Sequence, residues 1–88
     1  MKGGEKMVIV DISVPRFFKK YDFKLRDDVP IGEIINQVCD ILKNKEQCAI
    51  EEEGHEFLLC SITEKQILQK NQTLRNYNIR SGNRLLLV

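Results

Sequence analysis

Residues 30–42 carry the clearest hydrophobic pattern in the chain. Their apolar positions recur every three or four residues, and polar side chains occupy the opposite face. The apolar face consists of Ile31, Ile34, Ile35, Val38, Ile41 and Leu42. A strand would mix the two classes because its side chains alternate with a period of two. The segment therefore predicts an amphipathic helix that packs one face on the rest of the fold.

Two segments with strand periodicity precede this helix. The positions predicted to face inward are Val8, Val10, Ile12 and Val14 in the first, and Tyr21, Phe23 and Leu25 in the second. Pro15 ends the first segment, and only a short connection separates the two. Alternating segments joined in this way predict a β-hairpin.

Shorter elements follow the helix. Residues 57–62 predict a third strand, residues 67–68 a short fourth strand or a buried corner, and residues 84–88 the last strand. Residues 48–50 are a weaker strand candidate, and residues 73–77 have room for one helical turn. This order predicts an α+β fold in which one main helix packs on one face of a sheet. We expect residues 1–6 to form a flexible leader and residues 7–88 a single domain.

Composition excludes several function classes. The 88 residues include 14 basic and 13 acidic side chains, and this near-balance gives no concentrated positive charge for nucleic acid. No apolar segment is long enough to span a bilayer, and the first residues lack a secretory signal. Three cysteines without a C-x-x-C pair favour a reducing compartment. We therefore expect a cytoplasmic protein that does not insert into membranes.

Several short motifs resemble known families. Residues 73–79, T-L-R-N-Y-N-I, resemble the T-L-x-D-Y-N-I segment of ubiquitin. Residues 21–25, 29–31 and 79–85 resemble the YukD-like family, which comprises small bacterial ubiquitin-like proteins encoded with type VII (WXG100) secretion systems. The resemblance implies a ubiquitin-like β-grasp fold, with a mixed four- to five-stranded sheet and the last strand between the first and third. It also implies that the hydroxyl of Tyr77 holds the turn at residues 69–72.

The resemblance further implies a non-enzymatic protein-interaction module, an accessory or regulatory component of a type VII secretion system. Its partner would be the cytosolic part of a membrane-embedded secretion subunit. The sequence ends at Val88 without the Gly-Gly tail that conjugated ubiquitins require, so we expect no conjugation. Two alternatives remain open: a modifier or sulfur carrier with a truncated C-terminus, and the cytosolic domain of a larger membrane protein.

The residues that carry enzyme and metal chemistry are sparse. His55 is the only histidine and lies in an acidic segment without a nucleophile motif, so the sequence predicts no enzyme. Cys39, Cys48, His55 and Cys60 have irregular spacing with no short ligand pair. We expect no metal site and no cofactor.

The sheet face opposite the helix is the predicted site of partner binding. If alternate residues of the last strand face the helix, the others face outward and form an apolar patch with a basic rim. The predicted apolar members are Ile9, Leu59, Leu86 and Val88, and the predicted rim is Lys24, Arg26 and Arg84. Phe17 and Phe18, in the turn of the hairpin, form a second candidate surface.

Overall fold

The computed structural model describes residues 7–46 and 57–88. These residues form the strands β1 (Met7–Val14), β2 (Lys19–Arg26), β3 (Leu59–Ser61), β4 (Gln66–Leu68) and β5 (Arg84–Leu87), and the helix α1 (Ile31–Glu46). Short 3-10 helices cover Pro15–Phe17 and Arg75–Tyr77. The predicted leader, the strand candidate at residues 48–50, Cys48 and His55 lie outside the described residues.

The strands form one mixed sheet in the order β2-β1-β5-β3-β4. β1 pairs with β2 antiparallel and with β5 parallel, while β3 pairs antiparallel with both β5 and β4. The last strand in sequence is therefore central in space. This confirms the predicted α+β class, the five-stranded alternative and the position of the last strand between the first and third.

One hydrophobic core lies between α1 and one face of the sheet. Its members, each no more than 7% exposed, are Val8, Val10, Ile12, Val14, Phe23, Leu25, Ile31, Ile34, Ile35, Val38, Leu42, Leu59, Leu68, Leu74, Ile79, Leu85 and Leu87. The inward positions predicted for β1 are all buried. Of the three predicted for β2, Phe23 and Leu25 are buried and Tyr21 is partly buried.

Helix α1 differs from its predicted form in two respects. It continues to Glu46, four residues beyond the 30–42 pattern that predicted it. Ile41 was predicted to face the core and is instead 47% exposed. The apolar face of α1 is wider than the part of the helix that contacts the sheet. Ile41 lies at the margin of the apolar face, next to exposed Asp40.

The start of α1 is fixed by the turn at residues 69–72. The backbone N–H of Ile31 donates to the carbonyl of Gln72 at 2.8 Å, and that of Gly32 donates to Lys70 at 3.1 Å. These bonds satisfy donors that the first turn of a helix leaves unpaired. The hydroxyl of Tyr77 accepts a hydrogen bond from the N–H of Gln69 at 3.0 Å, which confirms its predicted role in holding this turn.

Candidate protein-interaction surface

The outer face of the sheet, opposite α1, carries the predicted binding residues except Leu59. Strand pairing places Ser13 beside Leu86, Leu86 beside Cys60, and Cys60 beside Ile67. These residues form one row across β1, β5, β3 and β4. Ser13, Cys60 and Leu86 alternate with buried residues along their strands, and Ile67 precedes buried Leu68, so these side chains face away from the core.

Most of this row belongs to an apolar cluster, here called the outer patch. It comprises Cys60, Ile62, Ile67, Leu86 and Val88. Ile67 is 57% exposed, Val88 43% and Ile62 40%, while Cys60 and Leu86 are half-buried. Val88 extends β5, because its backbone exchanges two hydrogen bonds with Leu58 at 2.7 and 2.9 Å. The predicted outward positions of Leu86 and Val88 agree with the structure.

The prediction that Leu59 belongs to this surface is wrong. Leu59 is 1% exposed and belongs to the core, as does its counterpart on β4, Leu68. Residues 57–62 are apolar almost throughout, so the sequence carries no alternation that distinguishes the two faces. The register against β5 determines the orientation and turns Cys60 outward instead. Cys60, Ile62 and Ile67 are the members of the outer patch that sequence reasoning missed.

Ile9 faces outward but lies away from the outer patch. It is 51% exposed and pairs with Lys24 on β2. It lies four residues along β1 from Ser13, which corresponds to about 13 Å at the rise of a strand. Asp11 and its neighbour on β5, Arg84, occupy the space between them. The predicted apolar residues therefore form two separate groups.

The predicted basic rim is also divided. Arg84 borders the outer patch, since its carbonyl accepts the N–H of Ile62 at 3.1 Å. Arg26 binds Asp28 of its own chain through two hydrogen bonds, of 3.1 and 3.0 Å. The guanidinium holds the pKa of Asp28 below its usual value. Lys24 and Arg26 therefore belong to the β2 side of the sheet, and Arg84 alone of the three borders the outer patch.

The two phenylalanines of the hairpin turn have different environments. Phe17 is partly buried and packs against the core. Phe18 is 95% exposed and has a φ of 56°, in the left-handed region. Only Phe18 is therefore available to a partner at this second candidate surface.

Side chains that could ligate a metal are scattered over the described residues. Among residues 7–46 and 57–88, no three His, Cys, Asp or Glu side chains come together as metal ligands. Cys39 and Cys60 are not joined in a disulfide, and each is half-buried. In the same ranges, α1 lacks the length and apolar content needed to cross a bilayer.

A hairpin, the helix α1 packed on one sheet face and a mixed sheet with β5 at its centre define the ubiquitin-like class. One similar structure is the EccD5 ubiquitin-like domain of Mycobacterium xenopi, with a TM-score of 0.75, 19% identity, and coverage of 94% of this chain and 93% of that one. Another is the ubiquitin-like domain of the Mycobacterium tuberculosis type VII secretion protein EccD1, with a TM-score of 0.70, 19% identity, and coverage of 94% and 98%. A third lies in the ESX-5 inner membrane complex, with a TM-score of 0.67 and 18% identity; the match covers 93% of this chain and 20% of that one. At these identities the likeness shows the fold.

Residues 7–87 match the family described as "WXG100 protein secretion system (Wss), protein YukD", and the chain belongs to this family. No curated protein matches the sequence. The family match confirms the resemblance drawn from residues 21–25, 29–31 and 79–85. It also associates the chain with type VII secretion.

Proposed function

We propose that this protein is a non-enzymatic protein-interaction module, a cytosolic accessory or regulatory component of a bacterial type VII secretion system. It binds a protein partner non-covalently through the outer patch. The partner is the cytosolic part of a membrane-embedded secretion subunit. The observation that carries the proposal is the exposed apolar surface around Leu86, on a chain of the YukD family.

The outer patch has the composition of a protein-binding surface. Exposed apolar clusters with a polar border mark interaction sites, and charged residues are depleted from the centres of such sites. Its five members carry no charge, and Arg84 lies at its border. The patch also extends over three neighbouring strands, which hold its side chains in fixed relative positions.

The structural neighbours support a partner in the secretion apparatus. Two of them are ubiquitin-like domains of EccD proteins, and a third belongs to an inner membrane complex. That third match covers 20% of a much longer chain, so the same fold is used there as one domain of a larger membrane-complex subunit. We propose that the present chain provides the equivalent binding surface in its own system.

The test is capture of the tagged 88-residue chain from its source cell, with one gentle wash and one wash in denaturing detergent. We expect a membrane secretion subunit to be retained by the gentle wash and lost in detergent. Covalent adducts that survive detergent would contradict the proposal and favour a conjugated modifier.

Matched variants locate the contact. Ile67→Lys introduces a charge at a position that is 57% exposed, so it should lower partner capture without unfolding the domain. Ile9→Lys is the control, because Ile9 is 51% exposed on the same face but lies outside the outer patch. Equal capture by the wild type and both variants would show that the outer patch is not the binding surface.

A further inference from the structure

Strand β2 forms one edge of the sheet. It is eight residues long and pairs with β1 along its whole length, and within the described residues no strand covers its other side. An uncovered edge strand offers backbone donors and acceptors to another extended chain. β2 is therefore a place where a partner segment could extend the sheet.

The hydrogen bonding of β1 shows which residues of β2 present these groups. Ile9 donates its N–H to the Ser81 hydroxyl at 2.9 Å, and its carbonyl accepts the N–H of Gly82. The odd-numbered residues of β1 therefore direct their backbone groups away from β2. Because antiparallel pairs alternate in their bonding, the residues of β2 opposite them direct theirs to the free edge. These residues include Lys20, Asp22 and Lys24.

The side chains of the same three residues face outward and are exposed. β2 as a whole carries Lys19, Lys20, Lys24 and Arg26 against the single acid Asp22. An added strand would place alternate side chains directly beside Lys20 and Lys24, at the distance of cross-strand pairs. Acidic side chains at those positions would complement the charge of the edge.

The other flank of this edge, towards α1, combines apolar side chains with the ammonium group of Lys45. Tyr21 is half-buried, its ring centre lies 6.1 Å from that of Phe23, and the Nζ of Lys45 lies 5.9 Å from the Tyr21 ring centre. Ile41 lies one helical turn before Lys45, on the same side of α1, and is 47% exposed. The remaining side chains of an added strand would lie against Tyr21 and Ile41.

We propose that β2 binds an extended partner segment in which acidic and apolar residues alternate, adding it to the sheet as a sixth strand. The acidic side chains lie beside Lys20 and Lys24, and the apolar ones lie between β2 and α1. The inference rests on the proposed binding role, and it assigns that role a second surface with its own ligand chemistry.

A second copy of this chain fits the edge less well. Antiparallel pairing of two β2 strands centred on Phe23 sets Asp22 opposite Lys24, but it also sets Lys20 opposite Arg26. It brings two strands with an excess of basic residues together. An acidic segment is attracted to the basic side chains of β2, whereas a second copy of β2 is repelled by them. Charge therefore favours the acidic segment.

The experiment titrates the 88-residue chain with a blocked eight-residue peptide in which valine alternates with glutamate, except that threonine stands at the position beside Asp22. NMR hydrogen exchange follows each backbone amide. We expect the amides of Asp22 and Lys24 to slow on binding, while that of Phe23, already bonded to β1, changes little. A shuffled peptide without alternation and a peptide with lysine in place of glutamate should both fail to protect these amides.

Substitution at Lys24 separates the backbone from the side chain. Lys24→Ala removes the charge, whereas Lys24→Pro removes the charge and the edge-directed N–H. Proline is tolerated on an edge strand where its nitrogen faces solvent. We expect Lys24→Pro to bind the peptide about tenfold more weakly than Lys24→Ala.

Lys24→Glu provides the same test without proline, since it reverses the charge and leaves the N–H in place. It should abolish binding of the glutamate peptide and permit binding of the lysine peptide. Absence of protection at Asp22 and Lys24, or peptide-induced changes confined to Leu86 and Val88, would overturn the proposal. Dimerisation of the free chain through the same amides would overturn it in favour of a second copy. Loss of captured subunit in Ile67→Lys with peptide protection retained would separate the two surfaces.

Discussion

Gly82 and Gly32 should respond in opposite ways to substitution by alanine, because only Gly82 has a positive φ. Gly82 lies in the turn before β5 with a φ of +95°, a region that side chains disfavour, and no atom lies within 4 Å of an added Cβ. Gly82→Ala should therefore destabilise the domain through its backbone alone, by about 1–2 kcal/mol. Urea unfolding followed by circular dichroism measures this.

Gly32 provides the matched substitution with the opposite sign. It lies in the first turn of α1, where an added Cβ would approach Lys70 no closer than 3.5 Å, an ordinary contact. Gly32→Ala should stabilise the domain by about 0.5–1 kcal/mol, because alanine has less backbone freedom to lose. Destabilisation by both substitutions would contradict this account of the two positions.

At the scale of elements, the sequence best predicts the orientation of strands that have one face in the core and the other in solvent. β1 separates core from solvent, so Val10 and Ile12 alternate visibly with Asp11 and Ser13. β3 lacks this contrast because its outward residue, Cys60, belongs to an apolar patch. The phase of β3 depends on pairing with β5, whose paired residues lie 24 to 28 positions later in the chain, and a local pattern cannot contain that information.

The same reasoning explains which parts of the candidate site could be predicted. The outward positions of Leu86 and Val88 follow from the alternation of β5 on the assumption, which the structure bears out, that Leu85 and Leu87 face the helix. The separation of Ile9 from Leu86 depends on the stagger between parallel β1 and β5, which no sequence motif encodes. Ile67 joins the outer patch only because β4 pairs with β3.

The loop between β2 and α1 carries a pH-dependent contact. The two hydrogen bonds from Arg26 lower the pKa of Asp28 in the folded state from its ordinary value of 3.8. A depressed carboxyl pKa contributes stability that is present above the unfolded pKa and is lost as the pH falls through the folded one. The stability difference between the wild type and Asp28→Asn should therefore be present at pH 6 and be lost as the pH falls below 3.8 and through the lower pKa of the folded state. Urea unfolding of the two proteins at pH 6 and in acid measures this difference in stability. A difference that persists in acid would contradict the assignment.

At the scale of the whole molecule, one short strand serves two purposes. β5 lies at the centre of the sheet, and its residues alternate between the core and the outer patch. Leu85 and Leu87 are at most 1% exposed, while Leu86 between them is half-buried on the opposite face. Stability and the proposed binding therefore depend on neighbouring residues that point in opposite directions, and single substitutions can separate them.

Leu85 and Leu86 provide that separation. Leu85→Ala leaves a cavity in the core and should cost about 2–5 kcal/mol, a large fraction of the roughly 5–15 kcal/mol that stabilises a small domain. Leu86→Ala removes a half-buried side chain and should cost about 1 kcal/mol or less. Urea unfolding ranks the two variants, and capture of the secretion subunit is compared at a temperature where both remain folded. Leu86→Ala should lose the partner while remaining stable, and Leu85→Ala should keep it for as long as it is folded. If folded Leu85→Ala lost the partner and Leu86→Ala kept it, β5 would present its other face to the partner and the outer patch would not be the binding surface.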